Sequence, residues 1–230
     1  MIETRRNGRL KETAFDQQKR KEYGFVIERI KMLPKGAKIL DAGCGKGNIV
    51  SVLINEGYDA WGVDFLPYMQ GHFVPFYHPP IARERYFQED MRKMHFEDKT
   101  FDAIYCLSTL INLGLSAYGE HDWGGEWEDI EAMKELRRVL KDDGIIIITI
   151  AYGEPGIRPK RYPYRVYDDD RINMLIQGME IVEGHYFYFD KEIEEWVETE
   201  DKELIKTKFP ATTSEDLGNA FLVLRKKKIE

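Results

Sequence analysis

Three glycines and two aspartates near the start of the chain have the types and spacing of a turn that binds a ligand through its backbone. Asp41 ends a short apolar run, and a helix-like apolar pattern begins a few residues later. Glycines stand at every second position between them, as Gly43, Gly45 and Gly47. Glycine permits positive φ, and the N–H groups of a helix start face the bound ligand. Asp64 ends the next apolar run, where a carboxylate can accept hydrogen bonds from both hydroxyls of a ribose.

The spacing separates this turn from a dinucleotide-binding one. A dinucleotide fingerprint reads G-x-G-x-x-G, and Asn48 stands where its third glycine belongs. The observed D-x-G-x-G-x-G, led by Asp41, resembles motif I of the class I S-adenosylmethionine-dependent methyltransferases. Asp64 matches the acidic tip of that family's second strand. The alternative is a glycine turn in some other α/β protein.

The resemblance implies S-adenosylmethionine as the cofactor and assigns its contacts. In this family an acid after the third strand accepts a hydrogen bond from the adenine amino group, and the next residue packs on the ring. Asp90 and Met91 match these two positions. The residues predicted to bind the cofactor are Asp41, Gly43, Cys44, Gly45, Gly47, Asp64, Phe65, Asp90, Met91 and Leu107.

The elements that must position these residues alternate between strands and helices, which predicts a parallel sheet with right-handed crossovers. Strands are expected at 37–42, 59–63, 85–88, 101–107, 145–150, 180–189 and 220–224, and helices at about 47–56 and 128–140. The resemblance implies an α/β, Rossmann-like class I methyltransferase sandwich with helices on both faces. Its seven strands would run in the order 3-2-1-4-5-7-6, with the last one antiparallel. Ligands of such sheets lie beyond the carboxyl ends of the strands.

A single methyltransferase domain is expected to account for all 230 residues. Its first part, 1–34, is typical of a helical cover, in which Phe15 or Tyr23 is a candidate to close over the cofactor. Residues 190–218 form an acidic insertion before the last strand, and 190–206 are expected to be helical. A chain of this length can bury a sizeable core.

Composition limits the partners and the compartment. The formal charge of −7 argues against a nucleic-acid partner, which usually needs a basic face. No apolar run approaches the roughly 20 residues that span a bilayer, and the residues after Met1 lack the apolar segment of a signal peptide. Cys44 and Cys106 form no C-x-x-C or Cys/His cluster, so no metal site is predicted. We expect a cytoplasmic protein that acts on a small molecule, without membrane or nucleic acid.

The segment after the fourth strand indicates a subclass. Residues 107–110 lack the N/D-P-P-Y/F of amino-group methylases. Residues 113–120, 129–135 and 164–168 resemble a G-L-G-R-Y-G…D-x-x-A-M-K-E…H-R-V-Y pattern of methyltransferase-like proteins associated with polysaccharide and surface-glycan genes. The departures from that pattern include Ser116, Ala117 and Tyr164. The resemblance implies O-methylation of a small polar acceptor such as a sugar or nucleotide sugar.

Two loops supply candidates for acceptor binding and for catalysis. Several cations lie between the fifth strand and the helix after it, and arginine forks suit phosphate or carboxylate, which favours an anionic acceptor. A tryptophan in the loop after the fourth strand could form a wall for a sugar ring. The candidate acceptor-binding residues are Arg158, Arg161, Arg165 and Trp123. If the acceptor is a hydroxyl, a base must take its proton, and His121 and Tyr118 are the candidates.

Two other functions stay open on this reading. One is a cofactor-binding pseudoenzyme that serves as a subunit of a complex. The other is a nicotinamide-dependent oxidoreductase on the same architecture, which the G-x-G-x-G spacing and Asp41 disfavour. The sequence predicts no oligomeric state.

Overall fold

The computed structural model describes residues 12–45, 48–68, 81–117, 125–159, 162–211 and 217–228, and these fold around one eight-stranded sheet. The strands among them are β1 (Lys38–Ala42), β2 (Asp59–Asp64), β3 (Tyr86–Gln88), β4 (Phe101–Leu107), β5 (Leu140–Ala151), β6 (Gly156–Arg158), β7 (Tyr164–Val166), β8 (Met179–Asp190), β9 (Glu195–Glu198) and β10 (Gly218–Lys226). The helices are α1 (Ala14–Ile30), α2 (Asn48–Asn55), α3 (Glu128–Val139), α4 (Asp169–Leu175) and α5 (Lys202–Lys208). β6 and β7 pair separately as a two-stranded sheet.

The strand order of the main sheet is β3-β2-β1-β4-β5-β10-β8-β9. β1 pairs in parallel with β2 and β4, and β10 lies antiparallel between β5 and β8. The predicted order of seven strands is therefore confirmed, and β9 extends it at the far edge. β2 and β3 are added on one side of β1, and β5 is added on the far side of β4, so the direction of strand addition reverses between β1 and β4. The crevice expected for a ligand therefore lies at the carboxyl ends of these two strands.

Two apolar layers cover the two faces of the sheet. On β5, Ile145 and Ile147 belong to one layer and Ile146 and Ile148 to the other, as the two-residue period of a strand requires. Helices α1 and α2 pack in the first layer, and α3, α4 and α5 pack in the second. Each large apolar side chain of these layers, when fully buried, stabilises the fold by about 1.5–3 kcal/mol.

Local side-chain contacts fix where two of the helices begin. The Thr13 hydroxyl accepts a hydrogen bond from the Asp16 N–H, and the Asp16 carboxylate accepts one from the Thr13 N–H, both at 3.1 Å. This capping box satisfies N–H groups that the first turn of α1 leaves unpaired. Asp168 caps α4 by accepting from the Arg171 N–H at 2.9 Å.

The structure corrects the prediction of one helix over residues 190–206. Residues 195–198 form strand β9, and only Lys202–Lys208 is helical. Trp196 is buried, contacts the ring of Phe189 on β8 and donates from Nε1 to the Ala14 carbonyl at 2.8 Å. An extended backbone places Trp196 inward and the preceding Glu195 outward, and β9 pairs with β8 along its length. The fifth strand is also longer than predicted, because β5 begins at Leu140 directly after α3.

Candidate functional site

The glycine turn lies at the carboxyl end of β1, against the segment that follows β4. Gly43 and Gly45 have φ values of 85° and 51°, in the left-handed region that favours glycine. The N–H groups of Gly43 and Cys44 donate to the Val63 carbonyl at 2.8 and 3.1 Å, which ties the turn to β2. A Cβ atom on Gly43 would lie 2.3 Å from Thr109 Cγ2. The turn is thus held between β2 and the residues after β4, with no room for a larger side chain at Gly43.

Asp64, at the tip of β2, is fixed beside this turn. Its Oδ2 accepts a hydrogen bond from the Gly45 N–H at 2.7 Å, and its Oδ1 accepts one from the Leu66 N–H at 2.8 Å. Burial raises the pKa of Asp64, and the backbone donors of Leu66 and Gly45 partly offset this rise. The structure therefore brings together the acid and the glycines that the sequence predicted as neighbours.

Asp41 faces the layer beneath α1. Its side chain is buried next to the Tyr105 ring, on the same face of the sheet as Ile39. Burial raises the pKa of Asp41 well above its usual range and the charge of Asp64 adds to the rise, while Tyr105 and Lys19 oppose it. Asp41 therefore lies under the glycine turn, among groups that α1 covers.

The tip of β3 adjoins the tip of β2. The Glu89 N–H donates to the Asp64 carbonyl at 2.9 Å, and Asp90 follows directly. The Asp90 carboxylate accepts a hydrogen bond from Arg92 Nε at 2.9 Å. Met91 is buried in the second apolar layer, so its contact with an adenine ring stays a prediction. The two acids predicted to bind ribose and adenine thus share one edge of the sheet.

The remaining predicted cofactor contacts lie around the same edge, within the part of the chain that the structure describes. Phe65 follows Asp64 and is 38% exposed. Leu107 ends β4 and is half-buried, and Cys44 is buried between the two glycines. Burial raises the pKa of the Cys44 thiol well above its usual range, which disfavours the thiolate form. Gly47 lies outside the described residues.

A buried polar row joins α1 to the carboxyl ends of β4 and β5 and to the amino end of the antiparallel β10. Its centre is the Glu22 carboxylate, which has no exposed surface. The groups that donate to it are Gln18 Nε2 at 3.1 Å, Lys19 Nζ at 2.6 Å, Ser108 Oγ at 2.7 Å and Thr149 Oγ1 at 2.9 Å. Gln18 Nε2 also donates to Asn219 Oδ1 of β10 at 3.3 Å. Polar contacts therefore hold α1 across this edge of the sheet.

The two aromatic candidates of α1 differ in their surroundings. Phe15 is 48% exposed. Tyr23 is largely buried, and this burial raises the pKa of its phenol, with the charges of Asp41 and Glu22 adding to the effect. The charge of Asp41 on the Tyr23 hydroxyl connects this side chain with the buried groups beneath the glycine turn.

Two arginines predicted to bind the acceptor lie inside the protein. Arg158 is 1% exposed, donates from Nη2 to the Glu154 carbonyl at 2.7 Å and has its guanidinium over the Phe209 ring. Arg165 is 4% exposed and donates from Nη2 to the Glu126 carbonyl at 3.0 Å. Their described contacts are with protein groups, and their role in acceptor binding stays a prediction.

Four other candidates fall on residues outside the described ranges. They are Tyr118, His121, Trp123 and Arg161. The described residues on either side of the first three end the segment after β4 and begin the turn into α3. The base and the sugar-facing wall therefore stay predictions.

Three charged residues near the site were not singled out from the sequence. Glu22 stands four residues after Gln18 and four before Val26, so helical spacing could have placed it on the buried face of α1. Asp129 gave no such signal, because its partner Tyr167 comes from a distant part of the chain. Arg92 joins the nearby Asp90 to the distant Glu128, and only the first of these contacts is local in sequence.

The described residues carry no group of three or more His, Cys, Asp and Glu side chains that could hold a metal ion. Among the same residues, no helix is long and apolar enough to cross a membrane.

Comparisons with known proteins agree with this arrangement. Residues 40–148, which run from β1 to β5, match the family model described as a methyltransferase domain. YqeM of Bacillus subtilis (strain 168), provisionally named a methyltransferase, is 29% identical over 122 residues, covering 51% of this chain and 44% of that protein. The chain spans less than half the length of the curated relatives it matches.

Solved structures match over most of the chain. The 1,6-didemethyltoxoflavin-N1-methyltransferase of Burkholderia thailandensis, with bound 1,6-didemethyltoxoflavin and S-adenosylhomocysteine, matches with a TM-score of 0.59 and 15% identity, covering 93% of this chain and 80% of that one. The cyclase SpnF matches with a TM-score of 0.59 and 17% identity, covering 90% and 80%. At such identities the likeness concerns the fold. Residues 40–148 are thus similar to a methyltransferase domain, and the chain as a whole has the fold of the class I S-adenosylmethionine-dependent methyltransferases.

Proposed function

We propose that this protein is an S-adenosylmethionine-dependent methyltransferase that methylates an oxygen of a small polar acceptor, such as a sugar or nucleotide sugar. The observation that carries the proposal is the Asp64 carboxylate, held by the N–H groups of Gly45 and Leu66 beside the glycine turn. Two backbone donors leave this carboxylate oriented before any ligand arrives, and an oriented acid beside bare main chain suits the vicinal hydroxyls of a ribose.

The cofactor is S-adenosylmethionine, placed along the carboxyl edge of the sheet. Asp64 would accept hydrogen bonds from the ribose, Asp90 would accept one from the adenine amino group, and the glycine turn would hold the methionine end. The other contacts come from Gly43, Cys44, Gly45, Gly47, Phe65, Met91, Leu107 and, beneath the turn, Asp41. Bound in this way, the cofactor supplies an activated methyl group on a sulfonium.

The chemistry asks little of the protein beyond placement. The protein's part would be to hold an acceptor oxygen in line with the methyl group that the bound cofactor would supply, the cofactor leaving as a thioether. Holding the oxygen against the methyl supplies much of the acceleration. A base that removes the hydroxyl proton adds about 10²–10⁴-fold. His121 and Tyr118 are the candidates for this role, and Trp123 and Arg161 are candidates for acceptor binding.

Several observations support a small-molecule acceptor. The net charge of −7 disfavours nucleic acid. A structural neighbour of the same fold is an N1-methyltransferase with a bound small heterocycle. The resemblance of residues 104–190 to glycan-associated methyltransferase-like proteins favours a sugar. The proposal places the protein in the cytoplasm, where its two free cysteines, Cys44 and Cys106, stay reduced.

One structural neighbour favours a second candidate. SpnF is a cyclase with this fold, so the fold can serve chemistry other than methyl transfer. Under this alternative the chain binds the cofactor but transfers no methyl group. The sequence left the same function open, as a cofactor-binding pseudoenzyme.

A screen with labelled cofactor separates these functions. The protein is incubated with S-adenosylmethionine carrying an isotopic methyl label and with pools of sugars, nucleotide sugars and other small hydroxyl compounds. We expect formation of S-adenosylhomocysteine together with a methylated product in one pool. Cofactor binding by calorimetry without transfer in any pool would favour the second candidate. Binding of NADH but not of S-adenosylhomocysteine would refute both.

A further inference from the structure

Arg92 occupies both oxygens of the Asp90 carboxylate. Its Nε donates to Oδ1 at 2.9 Å and to Oδ2 at 3.0 Å, and its Nη2 donates to Oδ2 at 2.6 Å. The main-chain N–H of Arg92 also donates to Oδ1, at 2.9 Å. A planar guanidinium fork that holds both oxygens fixes the plane of a carboxylate, which a lysine cannot do.

The other arm of the same guanidinium reaches a distant element. Nη1 of Arg92 donates to the carboxylate of Glu128, the first residue of α3. The Arg92 and Glu128 side chains are each 17% exposed, so water competes only in part for this contact. Arg92 therefore ties the tip of β3, where Asp90 lies, to the start of α3.

We propose that Arg92 is a positioning residue that orients Asp90 and thereby sets the selectivity of the cofactor site for adenine over hypoxanthine. This inference rests on the proposed placement of adenine at Asp90. An ionised carboxylate only accepts hydrogen bonds. Adenine presents a donor, its C6 amino group, while hypoxanthine presents an acceptor, its C6 carbonyl. A carboxylate held in one plane accepts a hydrogen bond from the adenine amino group and repels the hypoxanthine carbonyl.

Loss of the fork affects the two bases unequally. In Arg92→Met the guanidinium fork is lost and, among the described donors, only the main-chain N–H of residue 92 still donates to the Asp90 carboxylate, so the hydrogen bond to the adenine amino group must also restrict the motion of the carboxylate. Hypoxanthine never made this hydrogen bond, so it loses nothing. The preference for adenine over hypoxanthine should therefore fall in Arg92→Met. A general weakening of the site would instead lower the affinity for both bases alike.

The test compares S-adenosylhomocysteine with its deaminated analogue S-inosylhomocysteine by calorimetry. We expect the wild-type protein to prefer the adenine compound by about a hundred-fold or more. In Arg92→Met this ratio falls by about ten-fold, through weaker binding of S-adenosylhomocysteine alone. Arg92→Lys keeps the charge without the fork and gives an intermediate ratio.

A matched control lies on α3. Arg138 forms a similar fork, with Glu135 at 2.8 and 2.7 Å, and reaches Asp98 at 2.7 Å, away from the Asp90 carboxylate. Arg138→Met should lower stability while it leaves the adenine preference of the site unchanged.

Three results decide the matter. Equal losses for both ligands in Arg92→Met, with the ratio unchanged, overturn the inference. If Arg92→Met does not fold, an unchanged ratio in Arg92→Lys overturns it in the same way, and a lowered one supports it. If the wild-type protein binds neither compound, the proposed cofactor itself is wrong, which is a separate outcome.

Discussion

The carboxylate of Glu22 on α1 accepts a hydrogen bond from the hydroxyl of Ser108 at 2.7 Å, although 86 residues separate them in the chain. Ser108 directly follows β4 and has a positive φ of 51°. The contact therefore joins the covering helix to the turn that leaves the carboxyl end of the sheet. A buried carboxylate is tolerated only with such partners, because its desolvation would otherwise cost several kcal/mol.

The first prediction concerns this carboxylate. Glu22→Ala leaves the Lys19 charge and the Ser108 and Thr149 hydroxyls without their acceptor, so the free energy of unfolding should fall by about 3–5 kcal/mol. Urea titration measures this loss. Glu28→Ala, on the exposed side of the same helix, should change it by less than about 0.5 kcal/mol. A similar small change in both variants would show that the polar row does not hold α1.

The second prediction tests the ribose contact. Asp64→Ala removes a charge-assisted acceptor worth roughly 1.5–3 kcal/mol, so calorimetry should show affinity for S-adenosylhomocysteine weakened by about ten-fold or more. Asp59→Ala is the matched control, since Asp59 lies at the opposite end of β2 and accepts from Trp61 Nε1 at 2.9 Å. Unchanged affinity in a folded Asp64→Ala protein would remove Asp64 from the site.

The third prediction concerns pH. Burial lowers the pKa of His185, but the hydrogen bonds and negative charges of Glu198 and Glu183 outweigh it, so the pKa is raised. His185 Nδ1 faces Glu198 of β9, its Nε2 faces Glu183 of β8, and Arg29 of α1 pairs with the same Glu183. A raised folded pKa gives stability that is fully present below the unfolded value near 6.5 and is lost as pH rises through the folded value.

Unfolding measured across pH 5–9 should therefore show wild-type stability falling more steeply above about pH 6.5 than that of His185→Gln. An NMR titration of the ring should place the midpoint above 6.5. Parallel stability curves for the two proteins would contradict the assignment. His95→Gln serves as the control, because His95 follows β3, at the other edge of the sheet from β8 and β9.

The fourth prediction concerns Asp129, a buried acid that pairs with Arg165 and Arg171. Asp129 has no exposed surface and accepts from the Tyr167 hydroxyl at 2.8 Å and from Arg171 Nη2 at 2.7 Å, with Arg165 Nη1 at 3.6 Å. Asp129→Ala leaves buried cations uncompensated and should lower the free energy of unfolding by about 3–5 kcal/mol. Asp170→Ala, an exposed acid of α4, is the control and should change it by less than about 0.5 kcal/mol. Equal stability of the two variants would show that Asp129 does not balance these cations.

The fifth prediction concerns the base. With saturating cofactor and the acceptor identified by the screen, single-turnover methyl transfer should fall by more than about a hundred-fold in either His121→Ala or Tyr118→Phe. Cofactor affinity should stay intact in the variant that shows the loss. Near wild-type rates in both would mean that positioning of the acceptor suffices, or that another residue is the base.

The parts of the fold that follow from local spacing were predictable. The glycines, Asp41 and Asp64 are close in sequence, and their order along a strand, a turn and a second strand leaves few arrangements. The antiparallel β10 followed from the resemblance. β9 was missed because acidic residues around Trp196 hide its alternation, and only the pairing with β8 reveals it.

The charged candidates were harder to place. A cation in a loop looks solvent-exposed in sequence, and the burial of Arg158 and Arg165 depends on carbonyls and on Asp129, which the fold brings from elsewhere. The link that Arg92 makes between two elements was missed for the same reason, since its second partner, Glu128, lies 36 residues away. Distant pairing of charges leaves no period or motif in a single sequence.

The position of β10 has a consequence for how the protein is made. β8 reaches the rest of the sheet only through β10, whose residues 218–226 follow every other described strand in the chain. During synthesis β8 and β9 must therefore wait, with one edge unpaired, until β10 has emerged from the ribosome. The hydrogen bond between Gln18 and Asn219 likewise cannot form until Asn219, 201 residues later in the chain, has been synthesised. Newly made chains should hold an open half-sheet that chaperones can bind until this strand inserts.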